Sequence, residues 1–373
     1  MNKFDDSLDQ ILFKKEFSQI HTNLDGFHPF ILEKNHVVSG NCAFAGMHHI
    51  FDQHKDAVTG VKFANNDKSL LACCSLDGTL SICQLTPSPA TVLYILKGHK
   101  AGVCNFEWST SNDLIVSCSY DGSVKLWDSA SGVCLRTILD PFESSITACT
   151  FQPNNNNMIV TGNDKGFIQI LNVSTGIYAK EKISNESGKV LCLSFDCFGK
   201  ILWAGDSKGC ISSFVFDIKF GHFIKINKLL LVAGCPITNI SYFTWAKKSI
   251  RRSSLLVNIA CNALLLFEIK ARNGQLELKQ SFPIKHQSSE LMIRSSFCPI
   301  LSFSDGIYVV SGSEDTCVYF FNAEDNHGTK IKFVNKLQGH SFPVLDVCFN
   351  YDESLLASSD SKGNIIVWKK ESI

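Results

Sequence analysis

The sequence predicts an all-β fold in which the chain closes into a seven-bladed β-propeller. Gly98-His99 and Trp127-Asp128 bracket three short apolar runs within about 30 residues, a succession typical of one propeller blade. A similar unit begins at Gly339-His340 and ends at Trp368. Because these two units lie far apart in the chain, we expect the residues between them to form blades as well.

Alignment on the turn after the second strand divides the chain into seven units, each with three strand-like runs between turn residues. The fifth unit has the weakest pattern. The predicted strands are, unit by unit, Val61–Phe63, Leu70–Ala72 and Leu80–Cys83; Val103–Trp108, Leu114–Ser119 and Val124–Asp128; Ile146–Phe151, Met158–Gly162 and Phe167–Leu171; Val190–Phe195, Ile201–Gly205 and Cys210–Phe216; Ile237–Tyr242, Leu255–Ala260 and Ala263–Glu268; Met292–Phe297, Ile307–Ser311 and Cys317–Phe321; Val344–Phe349, Leu355–Ser358 and Ile365–Trp368.

The seventh unit has only three strands, although a blade needs four. We expect the missing outer strand to come from Phe44–Phe51, upstream of the first unit. The two ends of the chain would then share one blade and close the ring, which removes exposed sheet edges that promote aggregation. The propeller is thus predicted to span residues 41–373.

Residues 1–40 are predicted to form an N-terminal extension outside the ring. Ser7-Leu8-Asp9-Gln10 resembles a capping box, and apolar residues recur at helical spacing, which predicts a short helix. Two interpretations stay open: a segment that packs on the propeller or frays, and a helix that docks a partner. A basic segment, Thr244–Ser254, is predicted to be a solvated loop rather than a phosphate or nucleic-acid patch.

The composition narrows the class of function. Lys plus Arg and Asp plus Glu each number 35, so no overall positive field favours nucleic acid. The 16 cysteines are scattered without metal-ligand spacing, and Met1–Gln10 lacks the apolar run of a secretory leader. We therefore expect the nucleus or the cytoplasm, with no metal site and no secretion. The longest apolar run, Leu255–Ile269, is too short and too polar to span a bilayer.

Four residues of the second unit invite a catalytic interpretation: His99, Ser117, Asp121 and Trp127. Ser, His and Asp form acyl-transfer triads. Their placement on two strands and a turn instead favours a structural hydrogen-bond network, in which the imidazole bridges the carboxylate and the hydroxyl. No Gly-x-Ser-x-Gly elbow surrounds Ser117. We therefore predict no catalytic residue and no cofactor.

The other units are predicted to lack parts of this network and to depend on apolar packing. In the first unit, Cys73 and Cys83 stand at the serine and tryptophan positions. The aspartate position is taken by a lysine in the third, fourth and seventh units (Lys165, Lys208 and Lys362). The sixth unit keeps the serine and the aspartate, as Ser311 and Asp315. The strand patterns also predict a mostly apolar central channel, which disfavours a catalytic centre there.

A rigid ring presents its loops for recognition. The candidate partner surface therefore combines residues just before the turn aspartate with residues early in the first strands: Leu76, Tyr120, Glu314, Cys104, Ile293 and Leu345. Tyr120 and Leu345 are the apolar anchors we expect to contribute most.

The repeats resemble the WD-repeat family of β-propellers over residues 44–371. Strings such as Gly312-Ser-Glu-Asp315 and Ile366-Val-Trp-Lys369 resemble one group within that family, whose members are non-enzymatic, mainly nuclear proteins of regulatory complexes. The resemblance implies an interaction scaffold that binds proteins or peptide segments. It implies no small-molecule substrate, no direct nucleic-acid or membrane contact, and a monomer outside its complex.

Two alternative functions stay open within this resemblance. One is a chromatin or histone-tail reader, which needs an acidic or aromatic pocket on one face. The other is a substrate receptor of a ubiquitin ligase, a class that usually carries Trp-Asp-x-Arg after a third strand. Here Trp127-Asp128-Ser129-Ala130 lacks the arginine, which weakens that alternative.

Overall fold

A computed structural model describes residues 44–184, 188–217, 221–247, 250–270, 274–298, 308–323 and 332–370. Within these ranges the regular structure is entirely β and forms seven four-stranded sheets, the blades of a β-propeller. This confirms the predicted fold class. No helix in the described ranges has the length and hydropathy to cross a bilayer. The predicted N-terminal extension and its helix lie outside the described residues.

Strand β1 (Phe44–Phe51) belongs to the last blade, and blades one to six each use four consecutive strands. The strands of blades one to three are β2 (Val58–Phe63), β3 (Leu70–Ser75), β4 (Thr79–Gln84), β5 (Thr91–Lys97); β6 (Val103–Trp108), β7 (Leu114–Ser119), β8 (Ser123–Asp128), β9 (Cys134–Leu139); β10 (Ile146–Gln152), β11 (Asn155–Asn163), β12 (Phe167–Asn172) and β13 (Ile177–Ser184).

The remaining blades follow the same order. Their strands are β14 (Val190–Phe195), β15 (Ile201–Asp206), β16 (Cys210–Asp217), β17 (His222–Leu230); β18 (Ile237–Lys247), β19 (Ile250–Ile259), β20 (Ala263–Ile269), β21 (Leu276–Pro283); β22 (Ser295–Phe297), β23 (Tyr308–Ser311), β24 (Cys317–Asn322), β25 (Lys332–Gln338); and, in blade seven, β26 (Val344–Phe349), β27 (Leu355–Asp360) and β28 (Ile365–Lys370).

The core lies between neighbouring blades, whose apolar faces pack against each other. Between blades one and two, Leu80, Phe106 and Trp127 are buried in one cluster. A strand that is covered on both faces has a nearly continuous apolar sequence, as β15 does. The outer strands are largely exposed, and β9 buries only Ile138. Because outer strands carry no such run, the sequence predicts three strands per unit where the structure has four.

In five blades a glycine with positive φ ends the turn between the second and third strands, where the chain approaches the next loop closely, whereas Asn262 and Thr316 hold this position in blades five and six. In blade four, Gly209 has a φ of +85°, a conformation that other residues rarely adopt. A Cβ atom there would lie 1.8 Å from the carbonyl oxygen of Val232. The recurring glycine of these turns therefore fixes the junction between consecutive blades.

The first and last described strands close the ring. Strand β1 pairs antiparallel with β28, and Met47 and Ile50 lie opposite Trp368 and Ile366. Blade seven therefore has the strand order β1-β28-β27-β26, which confirms the predicted closure. The side chain of Phe44 is buried against the ring of Phe320, with ring centroids 5.9 Å apart.

The fifth blade differs from the prediction. The segment Thr244–Ser254 is not a loop, because β18 and β19 extend into one long hairpin in which Trp245 lies opposite Arg252 and Ala246 opposite Arg251. The prediction of a loop was wrong because it rested on the clustered basic residues. The pairing of the two strands instead satisfies their backbone hydrogen-bonding groups.

Candidate functional site

The second blade brings its four predicted network residues together. His99 Nδ1 lies 3.1 Å from Asp121 Oδ2, and His99 Nε2 lies 2.8 Å from Ser117 Oγ. The indole of Trp127 donates to Ser117 Oγ at 2.9 Å. Burial lowers the pKa of His99, although Asp121 opposes this shift. A neutral imidazole then donates to the carboxylate and accepts from the serine, whose hydroxyl is fully buried and closed to any substrate.

This network fixes two loops to each other. His99 lies in the loop between blades one and two, whereas Asp121 lies in the turn between β7 and β8. Asp121 also accepts the Lys100 N–H at 2.8 Å and the Ser123 hydroxyl at 2.6 Å. Burial would raise the pKa of Asp121, but these donors outweigh it and lower the pKa to about 2. We call the side of the ring that carries these loops and turns the turn face.

The seventh blade contains the same network, contrary to the prediction. His340 bonds Asp360 at 3.0 Å and Ser358 at 2.7 Å, and Trp368 donates to Ser358 at 2.8 Å. Lys362 does occupy the predicted aspartate position. The carboxylate comes instead from two residues earlier, at the end of β27, and bends the same turn by accepting the N–H of Lys362 at 2.9 Å.

The first blade also has a network, although cysteines occupy the predicted positions. His54 Nε2 lies 2.8 Å from Ser81 Oγ, and His54 Nδ1 lies 3.3 Å from Asp77 Oδ2. The hydroxyl is supplied by the third strand rather than the second, so Cys73 and Cys83 do not interrupt it. Blades seven, one and two are adjacent in the ring and share this histidine network. We call them the locked sector.

The prediction that the other blades depend on apolar packing alone was also wrong. In blades three and four, Asn163 and Asp206 hold the turn by accepting backbone N–H groups, such as those of Phe167 and Cys210 at 2.8 Å. In blade six, the hydroxyl of Tyr319 donates to Asp315. The hydroxyl of Ser311 donates to the Gly312 carbonyl at 3.0 Å and bonds no histidine within the described ranges.

The predicted partner surface is only partly accessible. Tyr120 is 44% exposed on the turn face, and Leu76 is half-buried. The three first-strand positions are buried: Cys104, Ile293 and Leu345. They were predicted as surface because the alternation does not show which side chains a neighbouring loop covers.

The covering loop connects blades five and six. Ile293 and Leu345 pack with Ala57 in an apolar cluster, against which Leu291 of this loop packs. Glu314 is not a free surface charge, because its Oε1 accepts the N–H groups of Gln287 and Ser288, both at 2.7 Å. Because Leu345 is buried in this apolar cluster, Leu345→Arg would test folding rather than partner binding.

One exposed aromatic residue was missed. Phe342 is 39% exposed in the loop before β26, and the Lys362 ammonium lies 5.8 Å from its ring centroid. The signal available in the sequence was an aromatic residue two positions after His340, in a loop that the propeller pattern places on the turn face.

The strand patterns predicted a mostly apolar central channel, and this prediction was wrong. A cavity of about 660 Å³ follows the axis and is lined by the first strands of all seven blades. Four charged residues line it: Lys62, Glu107, Arg294 and Asp346. The lining continues into residues that follow the first strands, among them Asn66 and Tyr351, so the cavity opens on the side opposite the turn face.

The charged residues of the channel contact different blades. Lys62 and Glu107 form an ion pair of 3.1 Å between blades one and two. Arg294 of blade six reaches across the channel to blade two, where Nη2 donates to the Cys104 carbonyl at 2.8 Å and Nη1 to Asn105 Oδ1 at 3.2 Å. Asp346 accepts the Val61 N–H at 2.9 Å. The sequence signal was a charge within the first strands of blades one, two and seven and directly before that of blade six.

Comparison with known proteins finds sequence relatives of these repeats. A family model described as WD domain, G-beta repeat matches residues 47–83, 90–128 and 331–369, the segments that contain the three histidine networks. The WD repeat-containing protein WDS homolog of Arabidopsis thaliana is 25% identical over 84% of this chain and 56% of its own length.

Two further relatives cover most of the described ring. The Retinoblastoma-binding protein 5 homolog of Drosophila melanogaster is 22% identical over 75% of this chain and 54% of its own length. The WD repeat-containing protein 26 homolog of Arabidopsis thaliana is 24% identical over 86% of this chain and 49% of its own length. The chain thus spans about half the length of these relatives.

Proposed function

We propose that this seven-bladed propeller, which contains WD repeats, is a non-enzymatic scaffold for protein–protein interactions in a regulatory complex. One relative, the Retinoblastoma-binding protein 5 homolog, is named as a binding protein. A closed ring suits the same role, because its loops are held on a rigid frame.

The observation that carries the proposal is an arc of apolar side chains on the turn face of the locked sector. Phe342 belongs to blade seven, Leu76 to blade one and Tyr120 to blade two. The histidine networks hold the loops beneath these side chains, so a partner would meet them already ordered. Rigid aromatic anchors of this kind lose little conformational entropy on binding and often dominate an interface.

The same arrangement supports a binding role over a catalytic one. The Ser117 hydroxyl, which would have to act as the nucleophile, is buried beneath the turn and bonded to both His99 and Trp127. A nucleophile needs access to its substrate and an oxyanion site beside it. We assign His99 and Asp121 the role of holding the turn.

The finer features of the proposal concern partner and compartment. We assign protein or peptide partners, because the net charge of zero provides no general attraction for nucleic acid. We place the protein in the nucleus or the cytoplasm and expect a monomer outside its complex. Fluorescence microscopy of the tagged chain and its sedimentation in the purified state test these two assignments.

The test of the scaffold role compares Tyr120→Ala, Phe342→Ala and the double variant with the wild type by proximity labelling in cells. Truncation of an anchor costs about 2 kcal/mol, or about 30-fold in affinity, so labelling of direct partners should fall sharply in the double variant. Phe198→Ala is the matched control, since Phe198 is an exposed aromatic residue in the loop between β14 and β15, on the side opposite the turn face and outside the lining of the axial cavity.

The control defines the outcome that would contradict the proposal. Each variant must first melt at the temperature of the wild type, which shows that the ring is intact. If the double variant then labels the same proteins to the same extent as the wild type, the turn face of the locked sector is not the interaction surface.

A further inference from the structure

We propose that the axial cavity is a second binding site, in which Arg294 and Lys62 receive a carboxylate of an acidic peptide. The inference rests on the proposed scaffold function and names a second surface of the ring for it. The site lies on the side opposite the turn face, so a peptide bound there would leave the apolar arc free.

The first argument is the unused bonding capacity of a buried arginine. Arg294 is 9% exposed, and its guanidinium lines the cavity. A guanidinium carries five N–H donors. In the described part of the chain, two of these find acceptors, the Cys104 carbonyl and Asn105 Oδ1. Three donors remain for a group within the cavity, and a carboxylate is the acceptor whose geometry suits them.

The second argument is that the nearby carboxylates are already used. Both oxygens of Asp346 accept backbone N–H groups, from Val61 at 2.9 Å and from Val347 at 2.8 Å. Burial raises the pKa of Asp346, and Arg294 and these donors only partly oppose that shift. The charge of Asp346 still raises the pKa of Arg294 against the effect of burial, so Asp346 acts on the guanidinium through its charge while both of its oxygens accept backbone N–H groups.

Lys62 adds a second cation to the same space. Burial would lower the pKa of Lys62, but the charge of Glu107 at 3.1 Å outweighs this and raises it, so the ammonium is retained. The positive charge of Arg294 opposes that rise, and both cations line the same cavity. An anion placed between them would be attracted to both cations, and Glu107 holds Lys62 close to that place.

The charge balance favours a carboxylate over a phosphate. Glu107 and Asp346 line the cavity with the two cations, so a phosphate dianion would meet two carboxylates as well. A monoanion gains from the cations with less repulsion. The volume of about 660 Å³ lies in the range that holds a small ligand or several peptide side chains. At the mouth, Asn66 and Tyr351 offer an amide and a ring to the rest of a peptide.

The test measures fluorescence anisotropy of fluorescein-labelled hexaglutamate with an amidated C-terminus, added to the full chain. We expect Lys62→Gln to weaken binding at least about tenfold, the loss of one charge-assisted hydrogen bond. We expect Glu107→Gln to tighten binding, because it removes a competing carboxylate. Arg294→Lys should weaken it as well, with the melting temperature checked. Both members of the Lys62–Glu107 pair are partly exposed, so these two variants should fold.

Further peptides separate the sources of the anion. Hexaglutamine with a free C-terminus tests a terminal carboxylate, and hexaglutamine with an amide should not bind. A phosphoserine peptide that binds more tightly than hexaglutamate would overturn the preference for a monoanion. Failure of the wild type to bind hexaglutamate at ~1 mM would overturn the site. Equal binding by the wild type, Lys62→Gln and Glu107→Gln would do so too.

These outcomes are independent of the turn face. Tyr120→Ala should bind hexaglutamate as the wild type does. If partner labelling in cells depends on Tyr120 but hexaglutamate does not bind, the scaffold proposal stands and the axial site is refuted. If hexaglutamate binds but partner labelling ignores Tyr120, the turn-face proposal is the one that fails.

Discussion

The hydrogen-bond network of blade seven provides a quantitative test of how the ring is held. We consider His340→Ala, Ser358→Ala and the double variant. His340→Ala removes the bonds to Asp360 at 3.0 Å and to Ser358 at 2.7 Å. Each bond contributes about 1 kcal/mol, and the lost packing of a buried ring adds about 1 kcal/mol. The expected decrease in the free energy of unfolding is therefore ~3 kcal/mol.

Ser358→Ala should cost a similar amount for a different reason. It removes the same bond to His340 and leaves the buried indole N–H of Trp368 without its acceptor at 2.8 Å. An orphaned buried donor costs about 1–3 kcal/mol. Because both substitutions remove the His340–Ser358 bond, the double variant should lose about 1 kcal/mol less than the sum of the single variants.

The assay is urea unfolding followed by circular dichroism, from which the free energy of unfolding is extrapolated. The matched control is the pair His99→Ala and Ser358→Ala, which lie in blades two and seven and share no partner. Their effects should add to within about 0.5 kcal/mol. Strictly additive effects for His340 and Ser358, or equal coupling in the control pair, would refute the network as the source of stability.

Two further predictions concern pH and ring closure. Burial lowers the pKa of His99 below its ordinary value of 6.5, although Asp121 opposes this shift. As the pH falls, His99 therefore takes up a proton in the unfolded chain before it does so in the folded chain. The stability that neutral His99 contributes is present above pH 6.5 and is lost as the pH falls toward the pKa of His99 in the folded protein. The melting temperature should fall between about pH 7.5 and about pH 5.5, and less so in His99→Asn, whereas an equal fall in both would contradict the assignment. Phe44→Ala, which removes a buried ring packed on Phe320 and Phe349, should cost about 3–5 kcal/mol in urea unfolding. Met47→Ala in the same strand, at a side chain 57% exposed, should cost less than about 0.5 kcal/mol, and equal losses would show that Phe44 does not hold β1 to the ring.

Much of the fold could be predicted because a blade is a local object. One short stretch of chain contains Gly98-His99, the turn at Asp121 and Trp127. Their spacing in the sequence therefore predicts that they lie together in one blade. The closing strand followed from a count, since blade seven has three strands and a stable blade needs four. The outer strands of the other six blades escaped prediction because exposed residues show no apolar pattern.

The candidate site was less accessible to sequence reasoning, for two reasons. The turn carboxylate of blade seven stands at Asp360 instead of the position of Lys362, and a turn can be held from either position. The burial of Leu345 depends on the loop between blades five and six, which supplies Ile293 and Leu291, and a pattern within the strand of Leu345 does not record that loop.

The sequence by itself determined that this chain forms a propeller of seven blades, because each blade repeats a local succession of strands, turns and capping residues. Only the tertiary structure decided what lies along the axis. Arg294 bonds the Cys104 carbonyl 190 residues away, and this meeting exists only because the ring closes. A periodic pattern specifies how each strand packs on its neighbours, but closure of the ring sets which charges face each other across its centre.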